Sequence, residues 1–214
     1  MFGCIATRLN ADHARFACRT ATDGGWQIDE PTVVACLREA VASRKPGLVL
    51  ATAFGLVHLF DALAAESVRF TLPEGTRVME TGGYKGRSRA LPKAELHRNI
   101  THWLGIPPHQ IVNEYGMSEL SSQAYDCTAG NFPASGTRNF HFPAWARAQV
   151  ISPETGTEVA DGETGLIRVF DLANVFSVLA VQTGDLGVRR GDGFELIGRA
   201  GNLEPRGCSL LAIA

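Results

Sequence analysis

The segment Asn113-Glu114-Tyr115-Gly116-Met117-Ser118-Glu119-Leu120 gathers residue types suited to a phosphorylated ligand. Glycine lets backbone approach a ligand closely, and a hydroxyl followed directly by a carboxylate can meet a phosphate and the metal ion that accompanies it. Gly116-Met117-Ser118-Glu119-Leu120 also half-matches the Gly-x-Ser-x-Gly elbow of serine hydrolases. Leu120 stands where the second glycine is required, and a serine-nucleophile reading is set aside. Three more Gly-rich pieces follow the same logic: Thr81-Gly82-Gly83-Tyr84-Lys85-Gly86, Gln182-Thr183-Gly184-Asp185-Leu186-Gly187 and Gly198-Arg199. Each alone reads as an ordinary turn. The histidines have no metal-ligand spacing; His97 and His102 are expected on one helix without sharing a face.

The elements that must carry these residues alternate between residues 29 and 113 in a βαβ pattern. Asp29 as a cap with Pro31 in the first turn predicts a helix to about Ala42, with Val34, Leu37 and Val41 on its apolar face. Leu48 to Thr52 reads as a buried strand, Gly55 to Glu66 as a helix and Thr76 to Thr81 as a strand. Pro92 to Leu104 is expected to be a helix ended by Gly105, with Trp103 and Leu104 as core residues, and Gln110 to Asn113 the next strand. Helices between such strands must cross the face of a parallel sheet. After the Pro/Gly-rich stretch Gly130 to Pro143 the pattern becomes short β-rich runs: Ala146 to Ile151, Gly165 to Phe170, Val178 to Gln182 and Phe194 to Ile197. Gly191-Asp192-Gly193 is a hairpin turn. The expected fold class is α/β, with residues 1–130 forming βαβ units on a parallel sheet and residues 131–214 an antiparallel β-rich subdomain.

In their order along the chain, the Gly-rich pieces resemble the adenylate-forming superfamily, in which a carboxylate attacks the α-phosphate of ATP. Within it the sequence is similar to the LuxE-type acyl-protein synthetases. The resemblance rests on Glu80 to Gly86, Tyr115 to Leu120, Asp171-Leu172-Ala173-Asn174, Gln182 to Gly187, Gly198-Arg199 and Arg206-Gly207-Cys208-Ser209-Leu210. It implies part of the large domain of an adenylate-forming enzyme, using ATP or AMP and Mg²⁺. By the same resemblance, Gly82 and Gly83 border the adenine, Tyr115 stacks on it, and Gly116 and Met117 belong to the same nucleotide segment. Ser118 contacts the α-phosphate, Glu119 holds Mg²⁺, Asp185 accepts from the ribose hydroxyls and Arg199 braces the sugar. Lys85 is a further candidate for an anionic group. Cys208 is the implied acyl acceptor, Arg206 favouring its thiolate.

Full members of that family carry a Ser/Thr/Gly-rich phosphate loop further upstream. Thr20-Ala21-Thr22-Asp23-Gly24-Gly25 lacks its spacing, so the sequence is expected to be a carboxyl-terminal portion. Three functions stay open: fatty-acid activation and transfer to a protein cysteine, a phenylacetate-type coenzyme A ligase, and a truncated chain that binds nucleotide or a partner without turnover. The implied partners are a fatty acid and proteins of a fatty-acid reductase complex.

Composition narrows the classes further. The chain has 214 residues, 45% of them hydrophobic and 20% charged, with a formal net charge of -2, which describes a globular chain and not a disordered one. That balance argues against nucleic acid as a partner. The uncharged run Pro46 to Phe60 is too short for a membrane helix, and the first residues show no export signal, so no membrane insertion and a cytoplasmic location are expected. Cys4, Cys18, Cys36, Cys127 and Cys208 form no Cys-x-x-Cys pair, which speaks against a zinc site or a disulfide framework.

Overall fold

The computed structural model describes residues 5, 7–8, 14–20, 26–84, 89–131 and 137–201. Its contacts divide the chain into two compact units that meet in sequence at Ile111 and Val112. The compositional change near residue 130 therefore falls inside the second unit.

The first unit is α/β. A short antiparallel pair, β1 (Cys18–Thr20) and β2 (Trp26–Ile28), precedes helix α1 (Glu30–Ser43). Asp29 caps α1, accepting from the Thr32 amide (3.3 Å) and hydroxyl (2.8 Å), and Arg44 ends it in the left-handed conformation. Val34 and Leu37 are buried, but Val41 is 39% exposed, so the apolar stripe ends one turn before the helix does. Strands β3 (Leu48–Thr52) and β4 (Arg77–Thr81) pair in parallel, from Leu48 opposite Arg77 to Thr52 opposite Thr81. Helix α2 (Ala53–Ala65) connects them. It starts two residues before the expected Gly55 because the Thr52 hydroxyl accepts the Gly55 amide at 3.0 Å.

Ala53, Phe54, Leu56, Val57, Leu59, Phe60 and Leu63 are buried, which makes α2 the middle of this core. Helix α3 (Lys93–Leu104) adds Leu96, Ile100 and Leu104 and ends at Gly105 as expected; Trp103 packs partly buried on the same cluster. No helix among the described residues is long and apolar enough to cross a membrane.

A 3₁₀ turn (Pro108–Gln110) leads into β5 (Ile111–Tyr115), whose end pairs antiparallel with β6 (Ala124–Tyr125). The second unit continues as the expected meander: β7 (Ala146–Ile151), β8 (Thr164–Asp171), β9 (Ala180–Arg190) and β10 (Gly193–Arg199), each antiparallel to its sequence neighbour. Alternate residues of β8, Gly165, Ile167, Val169 and Asp171, face inward. Of these, Ile167 and Val169 meet Tyr115, Leu120, Phe140, Val150 and Phe194 in a second core. β9 is far longer than Val178 to Gln182, because the Thr183-Gly184-Asp185 stretch lies within a strand and not in a turn. A bulge between Leu196 and Gly198 leaves Arg199 directly opposite Asp185.

Candidate functional site

In the second unit the site is built on Tyr115. It closes β5, and its ring meets Phe194 edge-on at a centroid distance of 5.3 Å, with Phe140 and Phe142 also against it. At 7% exposure the ring has little surface left, and its hydroxyl is the part that reaches out of this wall. That hydroxyl donates to Asp185 Oδ2 at 2.9 Å. Burial first, and then the Asp185 charge, push the Tyr115 phenol far above its ordinary value, so it stays a donor at any physiological pH.

Asp185 reaches this position from β9. Its amide donates to the Thr183 hydroxyl (3.1 Å), which donates to the Ile167 carbonyl (2.7 Å). On the other side Arg199 Nε stands 3.3 Å from Asp185 Oδ1. Among the described residues each carboxylate oxygen has one such partner, and a carboxylate oxygen can accept a second hydrogen bond.

Gly116 to Glu119 leave β5 toward solvent. A Cβ on Gly116 would collide with the carboxylate of buried Glu114 and come within 3.1 Å of Gln123, so any larger residue must push these side chains aside. Met117 is half-buried against the second core, and the amide of Leu120 returns to the Met117 carbonyl at 3.2 Å. Ser118 and Glu119 stand exposed on the turn, with the serine hydroxyl 3.3 Å from Glu119 Oε2. Leu120 anchors the turn by burial.

Sequence reasoning drew no role for the support beneath this turn. Asp171, fully buried at the end of β8, accepts from the amides of Ser121 (2.9 Å), Ser122 (2.8 Å) and Ala173 (3.0 Å) and from the Ser122 hydroxyl (2.8 Å). Burial alone would raise its pKa, but these hydrogen bonds prevail and hold the carboxyl below its ordinary value. Asn174 donates to the carbonyls of Glu119 and Val178, both at 2.8 Å. A carboxylate at an inward position of a period-two strand is the signal that could have exposed Asp171.

Beside this support opens a cleft of about 530 Å³, bordered by Ser121, Ser122, Tyr125, Cys127, Phe142 and Trp145. Trp145 Nε1 donates to the Ser122 hydroxyl at 3.0 Å. Burial, with the Asp126 charge second, pushes the Cys127 thiol up to about 11, which makes it a poor nucleophile.

Gly82 and Gly83 lie in the first unit, directly after β4, Gly82 in the left-handed region (φ 69°). The structure thus brings Tyr115, Asp185 and Arg199 into contact and places Ser118 and Glu119 on the turn that leaves β5. Lys85, Arg206 and Cys208 lie outside the described residues. Among the described residues no group of three or more His, Cys, Asp or Glu gathers to hold a metal ion.

The sequence model of the acyl-protein synthetase family LuxE matches residues 28–213. The long-chain-fatty-acid–luciferin-component ligase of Aliivibrio fischeri is 22% identical over 195 residues, covering 86% of this chain and 50% of that protein. The chain therefore spans about half the length of this curated relative. Among solved structures, the O-succinylbenzoate coenzyme A synthetase of Bacillus subtilis in complex with AMP superposes with a TM-score of 0.53 at 20% identity, over 83% of this chain and 44% of that one. The ATP-bound MatB of Rhodopseudomonas palustris gives a TM-score of 0.53 at 18% identity, over 81% and 33%. At these identities the likeness establishes a shared fold.

Proposed function

Because the chain belongs to the LuxE family of acyl-protein synthetases, we propose that it contributes the nucleotide side of a ligase that joins a fatty acid to ATP and passes the acyl group to a protein cysteine. The observation that carries this reading is the line Tyr115 hydroxyl, Asp185 carboxylate, Arg199 guanidinium, joined at 2.9 and 3.3 Å. A carboxylate so held, each oxygen able to accept a second hydrogen bond, suits the two neighbouring hydroxyls of a ribose.

In the proposed reaction a fatty-acid carboxylate oxygen attacks the α-phosphorus of ATP. A P–O bond forms, the bond to the leaving pyrophosphate breaks, and an acyl-adenylate results. Asp185 orients the sugar while Arg199 braces it, and Tyr115 fixes Asp185. Gly82 and Gly83 border the base. The close backbone path at Gly116 and Met117 brings Ser118 to the α-phosphate. Glu119, an exposed oxygen donor beside Ser118, fits a magnesium ion, which would offset the charge gathering on the phosphate oxygens. The cleft walled by Phe142 and Trp145 offers apolar surface for the acyl chain. A thiolate then attacks the acyl carbonyl, forming a C–S bond and releasing AMP. Cys208 is the proposed acceptor, having lost its proton to solvent, and a protein of a fatty-acid reductase complex is the proposed recipient of the thioester. These steps are set in the cytoplasm.

Incubating the chain with labelled myristate, ATP and Mg²⁺ tests the reading. Pyrophosphate release and protein label cleaved by neutral hydroxylamine are expected. Label that persists in Cys208→Ser rejects the acceptor. Equal, weak affinity for AMP and ATP in calorimetry, without pyrophosphate, favours a binding chain over a ligase, and thioester formation on free coenzyme A favours a coenzyme A ligase.

A further inference from the structure

Glu80 in the first unit is the last residue but one of β4 and directly precedes Thr81-Gly82-Gly83. Its side chain is fully buried. One carboxylate oxygen, Oε1, receives Lys93 Nζ at 2.6 Å and faces His97 Nε2 at 3.2 Å, while Oε2 is buried without a hydrogen-bond partner among the described residues. Lys93 and His97 stand four apart on α3, so one helix face presents both to the same oxygen. Glu80 and Lys93 are thirteen positions apart in sequence.

Stability is a poor reason for such a pair. Taking the Glu80 carboxylate out of water costs several kcal/mol, and the attraction of Lys93, whose side chain is 41% exposed, is weakened by solvent. Buried charge is instead suited to fixing one arrangement among several, because any shift that draws Glu80 away from Lys93 and His97 strips the carboxylate of both partners. Here the fixed point lies one residue before the backbone that carries Gly82 and Gly83. Tyr84, half-buried, packs on the same core, and the Glu80 charge adds to burial in raising its phenol.

We propose that Glu80 is a positioning residue: held by Lys93 and His97, it registers Thr81 to Tyr84 against the first turn of α3, and so sets the geometry in which Gly82 and Gly83 meet the nucleotide. The last clause rests on the nucleotide reading above; the registration of the backbone does not.

Amide hydrogen exchange on the 214-residue chain, with and without AMP, separates the two. Lys93→Met is expected to speed exchange at the β4 amides of positions 80 and 81, which lead into Gly82, by about tenfold or more while α2 amides stay unchanged, and Lys93→Arg should restore slow exchange. The apolar double variant Glu80→Leu/Lys93→Met should recover the parent melting temperature yet keep fast exchange at positions 80 and 81. Parent-like exchange there in the double variant, or a loss of protection in Lys93→Met shared equally by α2, overturns the proposal in favour of plain packing. AMP is expected to slow exchange at Gly82 and Gly83 in the parent and to bind Lys93→Met more weakly. If AMP leaves the parent unchanged, the nucleotide reading fails while the exchange comparison still decides the positioning role.

Discussion

Replacing Asp171 by alanine removes the acceptor on which three amides and one hydroxyl converge. Two of the four donors belong to exposed residues, Ser121 and Ala173, and can turn to water; the amide and hydroxyl of buried Ser122 cannot. Two orphaned buried donors at ~1–3 kcal/mol each give an expected loss of about 4 kcal/mol. That is a large share of the ~5–15 kcal/mol that holds a typical protein folded. Urea unfolding followed by tryptophan fluorescence measures it, Trp145 being tied to the same Ser122 hydroxyl. Asp171→Asn keeps one acceptor oxygen and should lose about half as much.

The sign of the pH dependence is fixed by the depressed carboxyl. With the folded pKa below the ordinary 3.8, the unfolded chain takes up the proton first as pH falls. The contribution is complete above that ordinary value and vanishes as pH drops through the folded one. Asp171→Ala should lack this acid limb. A loss under ~1 kcal/mol, or an acid limb of equal size in the variant, would refute the view that this carboxylate organises the chain after the Ser118-Glu119 turn.

Asp185→Ala should weaken AMP binding by ~1.5–3 kcal/mol, read by calorimetry, with a smaller fall in melting temperature from the lost Tyr115 bond. Asp185→Asn removes a negative charge beside Tyr115, so the highest tyrosine titration should move down, seen by ultraviolet absorbance. Gly116→Ala forces the Glu114 carboxylate and Gln123 aside and should cost ~1–3 kcal/mol in urea unfolding, even though the residue is exposed. Cys127, with its thiol near 11, should resist iodoacetamide at neutral pH in the folded chain and react once urea unfolds it, as mass spectrometry would record.

Local chemistry made part of this fold readable. Leu48 to Thr52 is an apolar run between Pro46-Gly47 and a capping threonine, and it forms a strand, but not the buried one expected: Leu48 is exposed and Val49 to Thr52 are half-buried. Asp29 and Gly105 mark helix ends by side-chain capping and a left-handed residue, and both do so here. Glycine misled the reading of β9. Gly184 and Gly187 look like turn signals, yet Gly187 is mid-strand, where a Cβ would sit 3.0 Å from the Glu195 carbonyl and 3.1 Å from Ile167. Strands of two or three residues such as β1, β2 and β6 are too short for any periodicity to show. Of the site, Tyr115, Ser118, Glu119, Asp185 and Arg199 were picked out by motif order. Asp171 as a support and the Glu80 cluster were not, because their meaning lies in partners that sequence spacing does not reveal.

The meander also has a kinetic consequence. Each of the three strands after β7 pairs with the strand just made, by contacts that close short loops and form early at small entropic cost. The hydrogen bond from Tyr115 to Asp185 spans seventy positions and must wait until β9 exists. In a refolding experiment the Tyr115–Asp185 bond should therefore form after most of the β-sheet circular dichroism has grown in, making that single hydroxyl a clock for the moment at which the Asp185 carboxylate is set.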